Sequence, residues 1–157
     1  MPIQLVTQLK RPAGKRVLVR VDFNVPIDGG RIVDDERIRA AVSTIERLSA
    51  HGAKVILISH LGQPEGWDKR LSLAPAAARL SDIMRRPIRF IGARLDDDEK
   101  VDRMVAEMEE GDVALLENLR FYKGEEKNDI FFAPRLADLG DAYVNDAFGT
   151  APRAHAS

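Results

Sequence analysis

The sequence predicts an α/β domain in three layers, a doubly wound and mostly parallel sheet with helices on both faces. Short runs rich in Val, Ile and Leu recur along the chain, segments of helical period separate them, and the turns between are short. The runs are apolar at consecutive positions rather than alternate ones, which fits strands buried on both sides. Each run also ends in a small polar cluster, and the carboxyl edge of a parallel sheet is where such folds take ligands.

Residues 16–21 are the first expected strand and deliver Asp22 and Asn24. Residues 26–32 follow as a small hairpin, because Asp28-Gly29 supplies the positive φ angles of a tight turn. A helix is expected over 35–50, where Ile38, Ala41, Val42, Ile45 and Leu48 recur at helical spacing. Asp34, Asp35 and Glu36 cap its start, and Gly52 stands just past its end. Strand 54–58 delivers Ser59 and His60, and the loop 61–70, with Gly62, Pro64, Gly66 and Trp67, is long and irregular, as functional loops often are.

The helix 72–84 carries Leu73, Ala76, Ala77, Leu80 and Ile83 on one stripe and leaves through Pro87. A strand at 88–91 precedes a helix at 98–108, whose positive end Asp96, Asp97 and Asp98 stabilise. Strand 112–116 delivers Glu117, Asn118 and Arg120. A last helix, near 129–139, places Ile130, Phe131, Ala133, Leu136 and Ala137 on its apolar side before Gly140. Strand 142–144 then delivers Asn145 and Asp146, which could orient the loops. Residues 148–157 form a Gly-containing polar loop with no element after it, so the chain is expected to be cut short.

The 157 residues suit a single domain, 1–157, with a real core. The 24 basic and 25 acidic residues nearly cancel, which gives no basis for a nucleic-acid or membrane-surface partner. Cysteine is absent, which excludes disulfides and Cys-based metal sites, and no apolar run is long enough to span a bilayer. A cytoplasmic monomer is the expectation.

Arg37, Arg120 and Arg153 carry the strongest chemical signal. Three guanidiniums brought to one sheet edge would bind a compact polyanion, since arginine pairs bidentately with carboxylate and phosphate. His60 and His155 could add donors, although a lone histidine is more often packed or capping. Asp22 and Asn24 could accept hydrogen bonds from a hydroxyl ligand, or simply form an Asx-turn before Pro26. Glu125 and Glu126 read as a solvated face. The sequence has no phosphate-cradling Gly-x-x-x-x-Gly-Lys-Ser/Thr loop, no Gly-x-Gly-x-x-Gly and no Gly-x-Ser-x-Gly elbow, and its histidines are too scattered for zinc. An unrelated α/β enzyme using Asp22 and Asp34 as metal ligands stays open on the residues alone.

Residues 16–26 read Arg-Val-Leu-Val-Arg-Val-Asp-Phe-Asn-Val-Pro, 59–62 read Ser-His-Leu-Gly, 116–121 read Leu-Glu-Asn-Leu-Arg-Phe, and 145–151 read Asn-Asp-Ala-Phe-Gly-Thr-Ala. These four segments resemble the amino-terminal half of phosphoglycerate kinase and stand in that family's order at compatible spacing. The resemblance implies a Rossmann-like fold and reversible phosphoryl transfer between 1,3-bisphosphoglycerate and ADP, giving 3-phosphoglycerate and ATP. It implies that this half binds the glycerate substrate, and that Mg²⁺ with ATP or ADP binds a carboxyl-terminal domain missing from this chain. By position, Asp22 and Asn24 would hold the glycerate, while Arg37, His60, Gln63, Arg120 and Arg153 would surround its carboxylate and phosphate. Arg37 would be the catalytic group, stabilising the transferring phosphoryl. A domain that kept the fold as a non-catalytic anion binder is the alternative.

Two positions depart from the family pattern: Gln63 stands where the family continues with arginine, and Pro152 where it usually has histidine. Each change removes charge or donors from the basic cluster. One charge-assisted hydrogen bond is worth on the order of 1.5–3 kcal/mol, or about one to two decades in affinity. Gln63→Arg is therefore expected to tighten 3-phosphoglycerate binding by up to that amount in a calorimetric titration, and equal affinities would refute the assignment.

Overall fold

The computed structural model describes residues 9–147 and 157. Its main sheet has five strands, β1 (Arg16–Arg20), β4 (Lys54–Ile58), β5 (Arg89–Ile91), β6 (Val113–Leu116) and β7 (Ala142–Asn145), in the order β5-β6-β4-β1-β7. Every neighbouring pair is parallel. The expected hairpin is present as β2 (Ile27–Asp28) paired with β3 (Arg31–Ile32). Helices α1 (Glu36–Ala50) and α2 (Ala74–Met84) lie on one side of the sheet, and α3 (Asp98–Ala106), the single turn α4 (Lys123–Glu126) and α5 (Phe132–Ala137) belong to the other half of the chain.

Two apolar cores follow from strand alternation, since successive side chains point to opposite faces. Val17, Val19, Val55, Leu57, Val113 and Leu115 pack with Ile38, Ile45, Ala76 and Leu80 of α1 and α2. The intervening Leu18, Ile56, Ile58, Ala114 and Leu116 pack with Val101, Val105 and Leu136 of α3 and α5. This is why these runs read as continuously apolar: both faces of β1, β4 and β6 are buried.

The connections leaving β1 and β4 pass through helices on the first face, and those leaving β5 and β6 through helices on the second. The switch falls between the adjacent strands β4 and β6. A crevice opens outside the carboxyl ends at such a point, because the flanking connections diverge to opposite sides. His60 and Asn118 both follow the strands that flank it.

Several local expectations change. Asp35 occupies the cap position of α1 without capping it; its carboxylate ties Arg39 to Arg79 of α2 at 2.8 and 2.6 Å. Asp34 accepts instead from the Glu36 amide at 2.9 Å. The pair of arginines holds the Asp35 carboxyl below the usual aspartate range. At α3, Asp96 pairs with Arg94 and Asp98 with Arg135, so the acidic run serves ion pairs as well as the helix end.

The last helix is shorter than its apolar pattern suggests. It begins at Phe132, leaving Ile130 and Phe131 76% and 79% exposed, because Asp129 turns the chain by accepting from the Phe131 and Phe132 amides. That Asx-turn competes with helix at its N-terminal side.

Asp141 fastens the edge strand. Its carboxylate accepts from the Arg16 backbone amide at 2.8 Å and from the Arg16 guanidinium at 2.7 Å, while its own amide donates to the Arg16 carbonyl at 2.7 Å. The guanidinium hydrogen bond holds the Asp141 carboxyl below its ordinary pKa. A depressed carboxyl stabilises the fold above its unfolded pKa, near 4, and loses that contribution as pH falls through the folded value. Both side chains are partly solvent-exposed, so the ion pair is screened and worth about 0.5–1 kcal/mol. Asp141→Asn is expected to lower stability by that amount in urea unfolding at pH 7, with the gap closing as pH falls from near 4 through the lowered folded value.

Candidate functional site

At the carboxyl edge, backbone groups run out of sheet partners and side chains take over. Ser59 joins the exits of β1 and β4: its hydroxyl accepts from the Phe23 amide at 2.9 Å and donates to the Val21 carbonyl at 2.8 Å. Asn118, fully buried, joins the exits of β4 and β6. Its Oδ1 accepts from the Leu61 and Arg120 amides at 3.1 and 3.0 Å, and its Nδ2 donates to the Leu61 and Leu71 carbonyls at 2.8 and 2.9 Å. Glu117 accepts from the Ser72 hydroxyl, the Leu73 amide and the Asn118 amide at 2.7–2.8 Å, anchoring the start of α2.

These bonds position the expected ligand-facing residues. Asp22 Oδ1 accepts from the Asn24 amide at 3.2 Å, forming the anticipated Asx-turn, and Oδ2 accepts from Arg37 Nη1 at 2.8 Å. Asn24 Oδ1 accepts from the Gly62 amide at 2.9 Å. Arg37, Asp22, Asn24 and Gly62 thus form one connected line from α1 to the loop after β4. Gly62 must be glycine, because its φ is +62° and an added Cβ would meet the Leu71 side chain at 3.1 Å. Gln63 is exposed beside it.

The loop 61–70 is pinned by Trp67, whose ring packs on Phe121 at 4.7 Å between centroids and lies 5.2 Å from the Arg94 guanidinium. A cavity of about 400 Å³ opens between Pro64, Glu65 and Gly66 on one side and Arg120, Lys123 and Glu126 on the other. A larger cavity of about 730 Å³, lined by Arg94, Tyr122, Phe131 and Arg135, contains none of the expected site residues.

Arg120 lies in the 3₁₀ turn Leu119–Phe121 and is 6% exposed, so it is not a solvated surface arginine. Its Nη1 meets Glu126 at 3.1 Å, while Nε and Nη2 are buried without a hydrogen-bond partner among the described residues. His60 is also buried, with Nδ1 3.0 Å from Arg20 Nη2.

Arg20 and Glu125 are the residues that sequence reasoning missed. Arg20 is 1% exposed on the face where Leu18 joins the second core, and Glu125 of α4 is 0% exposed, its Oε1 3.9 Å from Arg20 Nη2. The expectation of a solvated Glu125 is therefore wrong: α4 turns this carboxylate inward over the sheet edge, leaving Glu126 outside. Burial lowers the Arg20 pKa, Glu125 opposes that, Arg120 reinforces it, and Asp22 opposes it. Arg20 thus lies within electrostatic reach of both Asp22 and Arg120. A charged residue inside a run buried on both faces was the available signal.

Asp146 closes this side, its amide donating to the Arg20 carbonyl at 2.8 Å. Burial raises its carboxyl pKa, and a Thr44 hydrogen bond opposes the rise. Arg153, His155 and Pro152 lie outside the described residues. Among the described residues, no three His, Cys, Asp or Glu side chains gather as metal ligands, and Asp22 and Asp34 are spent on Arg37 and backbone amides.

The fold and this edge define a parallel α/β domain with a cavity beside the buried Arg120 at the carboxyl edge of its sheet, where domains of this class take ligands. The family model described as phosphoglycerate kinase matches residues 6–157, and the chain belongs to that family. It is 59% identical over 144 residues to a phosphoglycerate kinase of Dictyoglomus turgidum, covering 92% of this chain and 36% of the relative. It is 50% identical over 158 residues to one of Borreliella burgdorferi, covering 100% and 40%. The solved phosphoglycerate kinase of Coxiella burnetii superposes with a TM-score of 0.88 at 40% identity, over 99% of this chain and 38% of that one. The chain thus spans 36–40% of the length of these relatives.

Asn118→Leu keeps the branched shape in a somewhat larger side chain and leaves four backbone groups without their partner. It is expected to cost about 3 kcal/mol or more in urea unfolding. A loss under about 1 kcal/mol would show that the crevice wall does not depend on it.

Proposed function

We propose that the chain is the substrate-binding portion of a phosphoglycerate kinase, taking 3-phosphoglycerate or 1,3-bisphosphoglycerate at the carboxyl edge of its sheet. The observation that carries this reading is Arg120, whose buried Nε and Nη2 lack hydrogen-bond partners among the described residues, beside a cavity at that edge. A buried guanidinium with unused donors is under-satisfied until an anion or water meets it. Asp22 and Asn24 would hold the glycerate hydroxyl end, with Arg37, His60, Gln63 and Arg153 around carboxylate and phosphate. The exposed Arg37, tethered by Asp22, would stabilise charge on the phosphoryl group as it transfers.

Mg²⁺ with ATP or ADP would bind a carboxyl-terminal domain, as the family resemblance implies. The chain by itself would then bind the acid without turning it over. In isothermal titration, 3-phosphoglycerate is expected to bind, and Arg120→Met to weaken it by on the order of tenfold or more. Phosphoryl transfer from ATP by the 157-residue chain alone would overturn the division of labour. Unchanged affinity in Arg120→Met would overturn the site.

A further inference from the structure

We infer that Arg20 is a positioning residue that holds His60 as the neutral tautomer with its proton on Nε2. The argument is one of donors and acceptors. Arg20 Nη2 lies 3.0 Å from His60 Nδ1, with both side chains buried. A guanidinium carries five N–H donors and no acceptor, and it stays charged even where burial lowers its pKa. Nδ1 must therefore be the acceptor, so it carries no proton, and a neutral ring then carries its proton on Nε2. An imidazolium is disfavoured by the same contact, since its Nδ1–H would face the guanidinium.

His51 makes the opposite demand and serves as an internal reference. Its Nδ1 lies 2.7 Å from the Arg47 carbonyl, which can only accept, so His51 carries a proton on Nδ1. One chain thus holds two histidines whose Nδ1 atoms are read in opposite states.

The consequence for the site rests on the proposed substrate reading. His60 would meet an anionic ligand as an oriented neutral N–H donor, adding no positive charge to that of Arg120 and Lys123 at the cavity. Arg20, which is too deeply buried to meet the ligand itself, acts through the ring. Glu125, 3.9 Å from the same Nη2, supplies the countercharge that keeps Arg20 in place.

The test is a long-range ¹H–¹⁵N correlation spectrum of the ¹⁵N-labelled chain near neutral pH, with His60 identified by elimination using His51→Gln and His155→Gln. His60 is expected to show an unprotonated Nδ1 and a protonated Nε2, with His51 protonated at Nδ1. A proton on His60 Nδ1, in either the other tautomer or the imidazolium, would overturn the inference, and this reading needs no substitution at Arg20. In Arg20→Met the tautomer preference should be lost and 3-phosphoglycerate affinity fall by on the order of tenfold. Arg20→Lys, again a donor without an acceptor, should restore the tautomer. Retention of a pure Nε2–H ring in Arg20→Met would also overturn it. If the unaltered chain shows the expected tautomer but binds no 3-phosphoglycerate, the substrate reading fails and the tautomer assignment stands.

Discussion

The structure depends on how the carboxyl ends of its parallel strands satisfy their backbone hydrogen bonds. Inside the sheet the ladder does this; beyond Arg20, Ile58 and Leu116 it stops, in a region still buried. An unpaired buried amide or carbonyl costs about as much as a lost hydrogen bond, so the edge needs side chains that bond like backbone. Ser59, Asn118 and Glu117 fill that role, each connecting two or more segments. The same bonds that close the fold determine where Asn24, His60 and Arg120 sit. Positioning in this domain is thus a by-product of backbone satisfaction rather than of a separate set of contacts.

Charge at the edge is balanced in layers. The buried layer holds Arg20 and Glu125, the intermediate layer Arg120 with Glu126, and the outer layer Arg37 with Asp22. Only the outer two have an exposed partner: Glu126 and Arg37 are each more than half exposed. Exposed pairs of this kind are weak, so an anion can take over the guanidinium at small cost. The buried pair is different, because breaking it leaves an uncompensated charge in a low-dielectric setting. Exchange with the proposed anion would thereby be confined to the solvent side of the edge, with the inner layer left in place.

The parallel sheet, its flanking helices and the hairpin were legible because they rest on period and on turn residues, which are local properties. So were the strand-end clusters, since topology alone carries them to one edge. Asp22 satisfies both of its sequence readings: one carboxylate oxygen makes the Asx-turn and the other holds Arg37. What stayed hidden depends on long-range packing. Two adjacent glutamates at 125 and 126 look alike in sequence, and only the placement of α4 over the sheet turns one of them inward. Ile130 and Phe131 fit the apolar helical pattern, yet the turn held by the Asp129 side chain places them ahead of the helix, which begins at Phe132.

Arg20 shows why such a residue escapes a pattern-based reading and what it does for the domain. It takes a position on the face that Leu18 shares with the second core, and an apolar residue there would avoid the desolvation of a charge. Stability alone therefore gives no reason for a guanidinium at this place. The contact with His60 does, because only a group that donates and never accepts leaves a neighbouring imidazole a single choice of protonated nitrogen. The domain accepts a less favourable core position next to its crevice, and in return the ring beside that crevice is held in one state. Strain of this kind at a binding edge, with the cost spread over a well-packed two-sided sheet, is how folds accommodate function.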